Sequence, residues 1–454
     1  MTSRYGQPTI YAPFEGGVAV GRSYREIFDT GKVRKVWRRE ALLDFLSSGT
    51  VVFPDGATFF EGVFEVPPGG ELHVEGGDAR ISEPNPLPDP SEELGEEILP
   101  LFREALIGSL GDIPEDAGLC LSGGLDSSAI AAAWSSVGNP GCFVYSVSNT
   151  LDEKLALETA EALGTDPSVV KGDQVVSLEE LENMCRILEI PVHIPLGPLP
   201  QFRLLSAMSR RGIKTVYSGQ GGDEVLCGYP WHFPMAMDRL AVGDREKAEL
   251  WKKAQMESPP MGVLTLRLVR RCFTRTSSWV NLNDGGACAV LGLSREEVCR
   301  RRGVRFFAAD CSDWESVRRQ DLLNRTLRYL LHYDVSLADH FGMEVRAPFL
   351  SDVIVDLVSR FRLDFLYGKG TLKYPLRTVF PEVPEKVRFN NVKTGFWHNG
   401  SGLPELMPSV KRMLEETSLG DLVKVPGMVD KMSPLALWRF YSAGVLLEDG
   451  GITA

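Results

Sequence analysis

No apolar run in this 454-residue sequence approaches the about 20 residues needed to cross a bilayer, and the opening MTSRYGQPTIY lacks the apolar core of a signal peptide. Both absences point to a cytoplasmic chain with no membrane partner. Cysteine is scarce and scattered: Cys120, Cys142, Cys185, Cys227, Cys272, Cys288, Cys299 and Cys311 never form a CxxC pair. That excludes metal-ligand spacing and a disulfide framework, and leaves reduced thiols as the expected state. A surplus of positive charge is missing too. The formal net charge is −12, which argues against nucleic acid, whose phosphates need a basic surface. Internal repeats are absent, and so is the phosphate-binding pattern GxxxxGK[ST]. What is present is ordinary for a globular protein: 43% hydrophobic and 24% charged residues, in a chain long enough for two domains with buried cores.

The most informative stretch is Gly118 to Trp134, GLCLSGGLDSSAIAAAW. An apolar strand ends at Leu121, the chain turns through Ser122, Gly123, Gly124 and Leu125, and Asp126, Ser127 and Ser128 open an alanine-rich helix. Adjacent glycines let backbone N–H groups converge, and the helix N-terminus adds partial positive charge. The hydroxyls of Ser122, Ser127 and Ser128 can donate to phosphate oxygens, and Asp126 can hold a divalent cation on the same phosphates. This is a phosphate cradle without a lysine. A second glycine turn follows the strand Lys214 to Tyr217, in Ser218-Gly-Gln-Gly-Gly-Asp-Glu224. There Asp223 can complete a cation site with Asp126.

Around these turns the chain reads as α/β. Residues 1–85 are β-rich: Thr9 to Val20 alternates weakly, Val51 to Val63 suggests strand, turn and strand, and Arg39 to Leu46 fits a short helix between them. A last strand spans Glu71 to Val74. Pro84 to Pro90 holds four prolines in seven residues and reads as an extended linker, with 86–92 as the boundary. In Ser91 to Leu110, residues Leu94, Ile98, Leu101, Phe102, Leu106 and Leu110 fall on one helical face. A second apolar strand, Cys142 to Val147, and a helix from Asp152 to Leu163 complete a pattern that implies a parallel, doubly wound sheet with ligands at the strand C-termini. The basic run Arg267, Arg270, Arg271 and Arg275 fits a solvated helix face, in a region (239–321) where substrate-specific elaboration is expected. The tail from Pro404 reads as helical.

Ser122-Gly-Gly-Leu-Asp-Ser127 resembles the pyrophosphate loop of the PP-loop ATP pyrophosphatases, which cleave ATP to AMP and pyrophosphate. The segment IKTVYSGQGGDEVLCGY resembles the SGxGxDE…GY motif of asparagine synthetase B-type and β-lactam synthetase enzymes. LRYLLHYDVSLADHFGMEVRAPFLSD resembles the same family's ExRxPFLD segment, with Ser351 in place of an aspartate and Asp352 next to it. Glu344 and Arg346 match the E-x-R pair and suggest an ion pair bracing the sheet. KGTLKYPLR and RFNNVKTGF resemble its K-x-x-LR and R-x-x-K-x-GF elements. Lys373 and Arg377, four residues apart, are expected on one helix face.

The resemblance implies ATP and Mg²⁺ as cofactors, with Asp126 and Asp223 holding the metal. Nucleotide contacts fall to Leu121, Ser122, Gly123, Gly124, Asp126, Ser127, Ser128, Val147, Ser218 and Gly219. It implies Lys373 and Lys393 in catalysis, Lys393 facing the departing pyrophosphate, and Asp334 facing the acceptor beside Tyr333. Gln220 stands where relatives carry glutamate or tyrosine, and an amide cannot be a general base. Ala41 to Val74 resembles the end of the family's glutaminase domain, but the second residue is Thr2 and the first cysteine is Cys120. Residues 1–85 are therefore expected to be an inactive remnant before a synthetase domain over 93–454. The implied activity is an ATP-dependent amide synthetase in specialised metabolism, joining a small-molecule or peptide carboxylate to ammonia or an amine. An intramolecular cyclase of the lactam or lasso-peptide type and a non-catalytic scaffold stay open, as do a separate amidotransferase or carrier partner and a homodimer.

Overall fold

The protein is represented by a computed structural model that describes Tyr5 and residues 8–53, 56–82, 94–147, 150–172, 176–193, 197–229, 232, 286–294, 296–297, 314–323, 326–390 and 405–448. The chain opens with an antiparallel hairpin, β1 (Thr9–Phe14) and β2 (Gly17–Gly21), followed by α1 (Tyr24–Asp29) and α2 (Arg39–Ser48). A short strand, β3 (Phe64–Val66), pairs with the open edge of β1. β4 (Glu71–Glu75) and β5 (Asp78–Ser82) form a separate hairpin closed by Gly76 and Gly77 at φ of 61° and 92°, the backbone that a two-residue turn matching strand twist requires. The sequence pattern anticipates β1, β2, α2 and β4. It also suggests strands within 51–63 that do not form. Among the described residues there, Ala57 and Phe60 make only isolated bridges, because Phe59 and Phe60 turn inward onto Trp37, and Phe53 onto Phe59, instead of alternating.

The larger part of the fold is wrapped around a parallel sheet. In chain order it comprises α3 (Leu99–Gly108), β6 (Ala117–Cys120), α4 (Leu125–Ser135), β7 (Cys142–Ser146), α5 (Leu151–Ala162), β8 (Ser168–Lys171), α6 (Leu178–Leu188), α7 (Pro198–Arg210) and β9 (Thr215–Tyr217). α8 (Gly222–Val225), α9 (Trp314–Leu323), α10 (Thr326–His340), β10 (Glu344–Arg346), α11 (Asp352–Ser359), α12 (Tyr374–Val379) and α13 (Pro434–Leu447) follow. The strand order is β10-β9-β6-β7-β8, with every pairing parallel.

Both faces of this sheet are covered, which is why its strands read as short apolar runs. Along β7, Cys142 and Val144 enter a core with α3, α4 and α11, whereas Phe143 and Tyr145 enter a core with α6, α7 and α13. α4 is buried from Ser127 to Trp134, and its alanines let it lie close against the strands. The helix in 91–110 is shorter than its periodicity suggests. Phe102 and Leu106 are buried, but Leu101 is half exposed, and Leu94 instead bridges to Phe361. The proline-rich linker and the arginine run lie outside the described residues.

The strand order places the functional loops. From β6 the chain moves outward through β7 and β8, then returns to the other side of β6 as β9. β6 and β9 therefore flank a topological switch point, where the loops leaving two strand C-termini diverge and open a crevice. Both glycine turns leave from these two strands.

Candidate active site

After β6, the turn Ser122–Gly124 is held by its own hydroxyls. The Ser122 N–H donates to Ser127 Oγ at 3.1 Å, the two serine Oγ atoms lie 2.9 Å apart, and Gly124 N–H donates to Ser122 Oγ at 3.3 Å. Gly123 sits at φ 78°, and a Cβ there would lie 2.1 Å from the Asp152 carbonyl oxygen, so only glycine fits. Leu121 is buried, with its N–H donated to the Phe143 carbonyl. Val147 lies just past β7, partly buried. Ser128 departs from the expected grouping. It is fully buried, and its Oγ lies 3.4 Å from Thr159 Oγ1, turned into the helix packing and away from the loop.

The second turn packs directly on the first. A Cβ on Gly219 would lie 3.2 Å from the Asp126 Cβ, and one on Gly222 would lie 2.7 Å from its Cγ. This contact brings Asp126 and Asp223 to one ammonium. Lys373 Nζ lies 2.7 Å from both Asp126 carboxylate oxygens and 2.6 Å from Asp223 Oδ1. Burial alone would lower the Lys373 pKa, but the two carboxylates outweigh it and raise the value, so the charge is retained. Lys373 is not on the face of a helix with Arg377. It is the residue before α12, in a left-handed conformation (φ 57°), which turns its side chain down into the crevice. Arg377 is buried one turn on, with Nε donated to the Leu372 carbonyl at 2.6 Å. Burial lowers its pKa to about 10 against the pull of Asp126 and Asp223.

On the β9 side lies a second charged group. Asp334, on α10, is 2% exposed; its Oδ1 accepts from Gln201 Nε2 at 2.7 Å and Gln220 Nε2 at 3.4 Å, and its Oδ2 from Ser218 Oγ at 3.3 Å. Burial raises its pKa to about 6, and the three hydrogen bonds hold it from rising further. Gln201 belongs to α7 and nothing in its local sequence marks it. The fold brings it 133 positions along the chain to Asp334. Cys120, at the end of β6, has its thiol pushed up to about 12 by burial and then by the Asp334 charge. Lys393 lies outside the described residues.

The Asparagine synthase family model matches residues 104–445. The chain belongs to the asparagine synthase family. Its relatives include "Amidase chry2" of Gibberella zeae, 29% identical over 38% of this chain and 30% of the relative. The "Asparagine synthetase [glutamine-hydrolyzing] 1" of Bacillus subtilis is 25% identical over 79% of this chain and 58% of its own. A "Putative asparagine synthetase [glutamine-hydrolyzing]" of Mycobacterium tuberculosis is 26% identical over 69% and 50%. The chain thus spans between 30% and 58% of the length of these relatives.

Other motifs of the chain find structural reasons in this α/β fold. Glu224, beside Asp223, is buried and accepts from the Tyr229 hydroxyl at 2.5 Å; burial and the Asp223 charge raise its pKa to about 8. His232 and Asp321 form a buried pair at 2.8 Å behind it. The Glu344–Arg346 pair is long, 3.7 Å, and partly exposed. Arg346 braces the sheet by other means, donating to the Asp112 carbonyl at 2.7 Å and the Tyr217 hydroxyl at 3.1 Å. Ser351 caps α11, its Oγ accepting from Ile354 N–H, a task that the family's aspartate does equally well.

Proposed function

We propose that this chain is an AMP-forming carbon–nitrogen ligase that activates a substrate carboxylate with ATP, releases pyrophosphate, and passes the acyl group to ammonia or an amine. The observation that carries this reading is the Asp126–Lys373–Asp223 cluster at the sheet's switch point, under two interlocked glycine turns. A buried ammonium beside a glycine turn is suited to charge that develops on a departing pyrophosphate. Among the described residues no group of three or more metal-binding side chains occurs. Two carboxylates fit Mg²⁺ of the kind that takes most of its ligands from phosphates and water. Asp126 and Asp223 would hold the ion, which when bound would neutralise phosphate charge, and the Lys373 ammonium between them adds a positive charge of the chain's own.

In this reading, backbone N–H groups of Ser122 to Gly124 and the hydroxyls of Ser122 and Ser127 orient the phosphate chain, with Ser218 and Gly219 on the facing wall. Ser128 is left out of the nucleotide contacts because its Oγ faces Thr159 Oγ1 in the helix packing, whereas Ser127 Oγ faces Ser122 in the turn. Lys393 keeps the phosphate role that its motif implies. Asp334 is the group able to take a proton from the incoming amine. Its pKa of about 6 leaves it ionised near neutrality yet basic enough to accept, and Gln201, Gln220 and Ser218 fix its orientation. Residues 1–85 serve as a structural layer behind α10, not as a glutaminase, and the sheet is of the PP-loop type.

The test is carboxylate-dependent exchange of labelled pyrophosphate into ATP, surveyed over amino acids and other small acids, with wild type beside Asp126→Ala. Exchange that needs a particular acid and disappears in the variant supports the reading. ADP and phosphate as products, in place of AMP and pyrophosphate, would refute it.

A further inference from the structure

Away from the switch point, a cavity of about 380 Å³ opens where α1 meets the C-terminal ends of α6 and α13. The volume lies in the range of small-molecule sites. Its floor is rigidly built. Glu189 ends α6 at φ 61°, a left-handed position usually given to glycine or asparagine. Its carboxylate, 13% exposed, accepts the backbone N–H of Arg25 at 3.1 Å and pairs with Arg25 Nε at 3.3 Å, locking α1 to α6. Phe28, Phe60 and Leu446 supply an apolar wall.

The charges left at the opening define what would fit. Arg25 is engaged by Glu189 and Arg186 by Glu448. Lys35 and Asp29 also line the cavity, and neither has an ionic partner among the described residues. The Lys35 ammonium stands over the Trp37 ring, 5.8 Å from its centre, so one ammonium steadied by an aromatic ring and one carboxylate without an ionic partner among the described residues face the cavity. Among the described residues, a phosphate would meet the Asp29 carboxylate beside the one cation not engaged by an acid, Lys35. A metal ion would lack a cluster of three ligands. We propose that this cavity binds a small zwitterion with an apolar side chain, an amino acid of the aromatic or branched class, its carboxylate toward Lys35 and its ammonium toward Asp29. The site is separate from the Asp126–Lys373 crevice, but only one ring from the helix that carries Asp334. Tyr24, which lines the cavity, lies 5.3 Å from the His332 ring on α10.

Titration calorimetry of the full chain with L-phenylalanine as the probe tests this, repeated with L-leucine, phenylalanine amide and N-acetylphenylalanine. The expected result is saturable binding of the two free amino acids. Affinity should fall by about tenfold or more when the probe's carboxylate or ammonium is blocked, and likewise in Lys35→Ala and Asp29→Asn, both at exposed positions. Asp126→Ala and Asp334→Asn should bind within about twofold of wild type, whether or not adenylation is found. No binding of either amino acid to folded wild type would overturn the proposal. Binding indifferent to Lys35 and Asp29, or lost in Asp334→Asn, would overturn it equally.

Discussion

Lys373 adopts a backbone conformation that costs a non-glycine residue of order 1–3 kcal/mol, and it sits where its ammonium meets two carboxylates. Strain of this kind persists where the surrounding structure over-determines it, and Gly228 is part of that structure. A Cβ on Gly228 would lie 1.8 Å from Lys373 Cε and 2.2 Å from Asp223 Oδ1. Gly228→Ala is therefore expected to lower pyrophosphate exchange by about a hundredfold or more by moving Lys373, while circular dichroism stays that of a folded chain. Asp334 gives a prediction with a sign. Its pKa in the folded state, about 6, stands above the ordinary 3.8, so the fold favours the protonated form. The ionised carboxylate costs stability above pH 6, and that cost is relieved as pH falls from 6 toward 3.8. Asp334→Asn should raise unfolding stability at pH 7.5 by about 1–3 kcal/mol in urea titrations, flatten its change between those two values, and abolish amide formation. Gln201→Ala removes a hydrogen bond that lowers the Asp334 pKa, so the acid limb of the rate profile should move to higher pH.

At the level of elements, α10 links two environments. Arg328, 3% exposed, donates to Glu65 Oε2 at 2.7 Å and to the Phe53 carbonyl at 3.3 Å. One turn later the His332 ring nitrogen lies 2.7 Å from the Leu188 carbonyl, and Asp334 follows on the side of the crevice. Arg328→Ala leaves Glu65 without its cation and should cost about 3 kcal/mol in chemical denaturation, with amide formation falling more than nucleotide binding. These couplings also explain what the sequence could and could not reveal. The turn after β6 was legible because its chemistry is local: a strand, a glycine needed at φ 78°, hydroxyls, then a helix start. Lys373 was legible as a motif member, but its position before a helix, and not on one, depends on a left-handed backbone that a lysine does not advertise. Gln201 was invisible. Its role arises only when α7 and α10 pack on the same face of the sheet. The strands expected in 51–63 failed because inward aromatic burial around Trp37 outweighed local alternation.

Over the whole molecule, the N-terminal layer and the α/β sheet share a core. One buried cluster runs from Ile10 and Trp37 through Phe143 and Leu188 to Trp438, so the small antiparallel sheet is fixed to the face that carries α6, α10 and α13. Trp37 is fully buried, its ring 4.4 Å from that of Phe60. Trp37→Ala should cost about 3–5 kcal/mol and lower the temperature of a single calorimetric transition. Two separate transitions would show that the layers are uncoupled. Among the described residues no helix is long and apolar enough to cross a membrane. In the proposed reaction the switch-point crevice joins a carboxylate oxygen to the α-phosphorus of ATP. The most direct measurement uses the carboxylic acid found by exchange, labelled with ¹⁸O, in a turnover with ATP and amine, followed by mass spectrometry of the nucleotide and phosphate products. The expected result is one ¹⁸O in AMP, none in pyrophosphate, and no labelled AMP from Lys373→Met. Label in inorganic phosphate, with ADP as the nucleotide product, would contradict it.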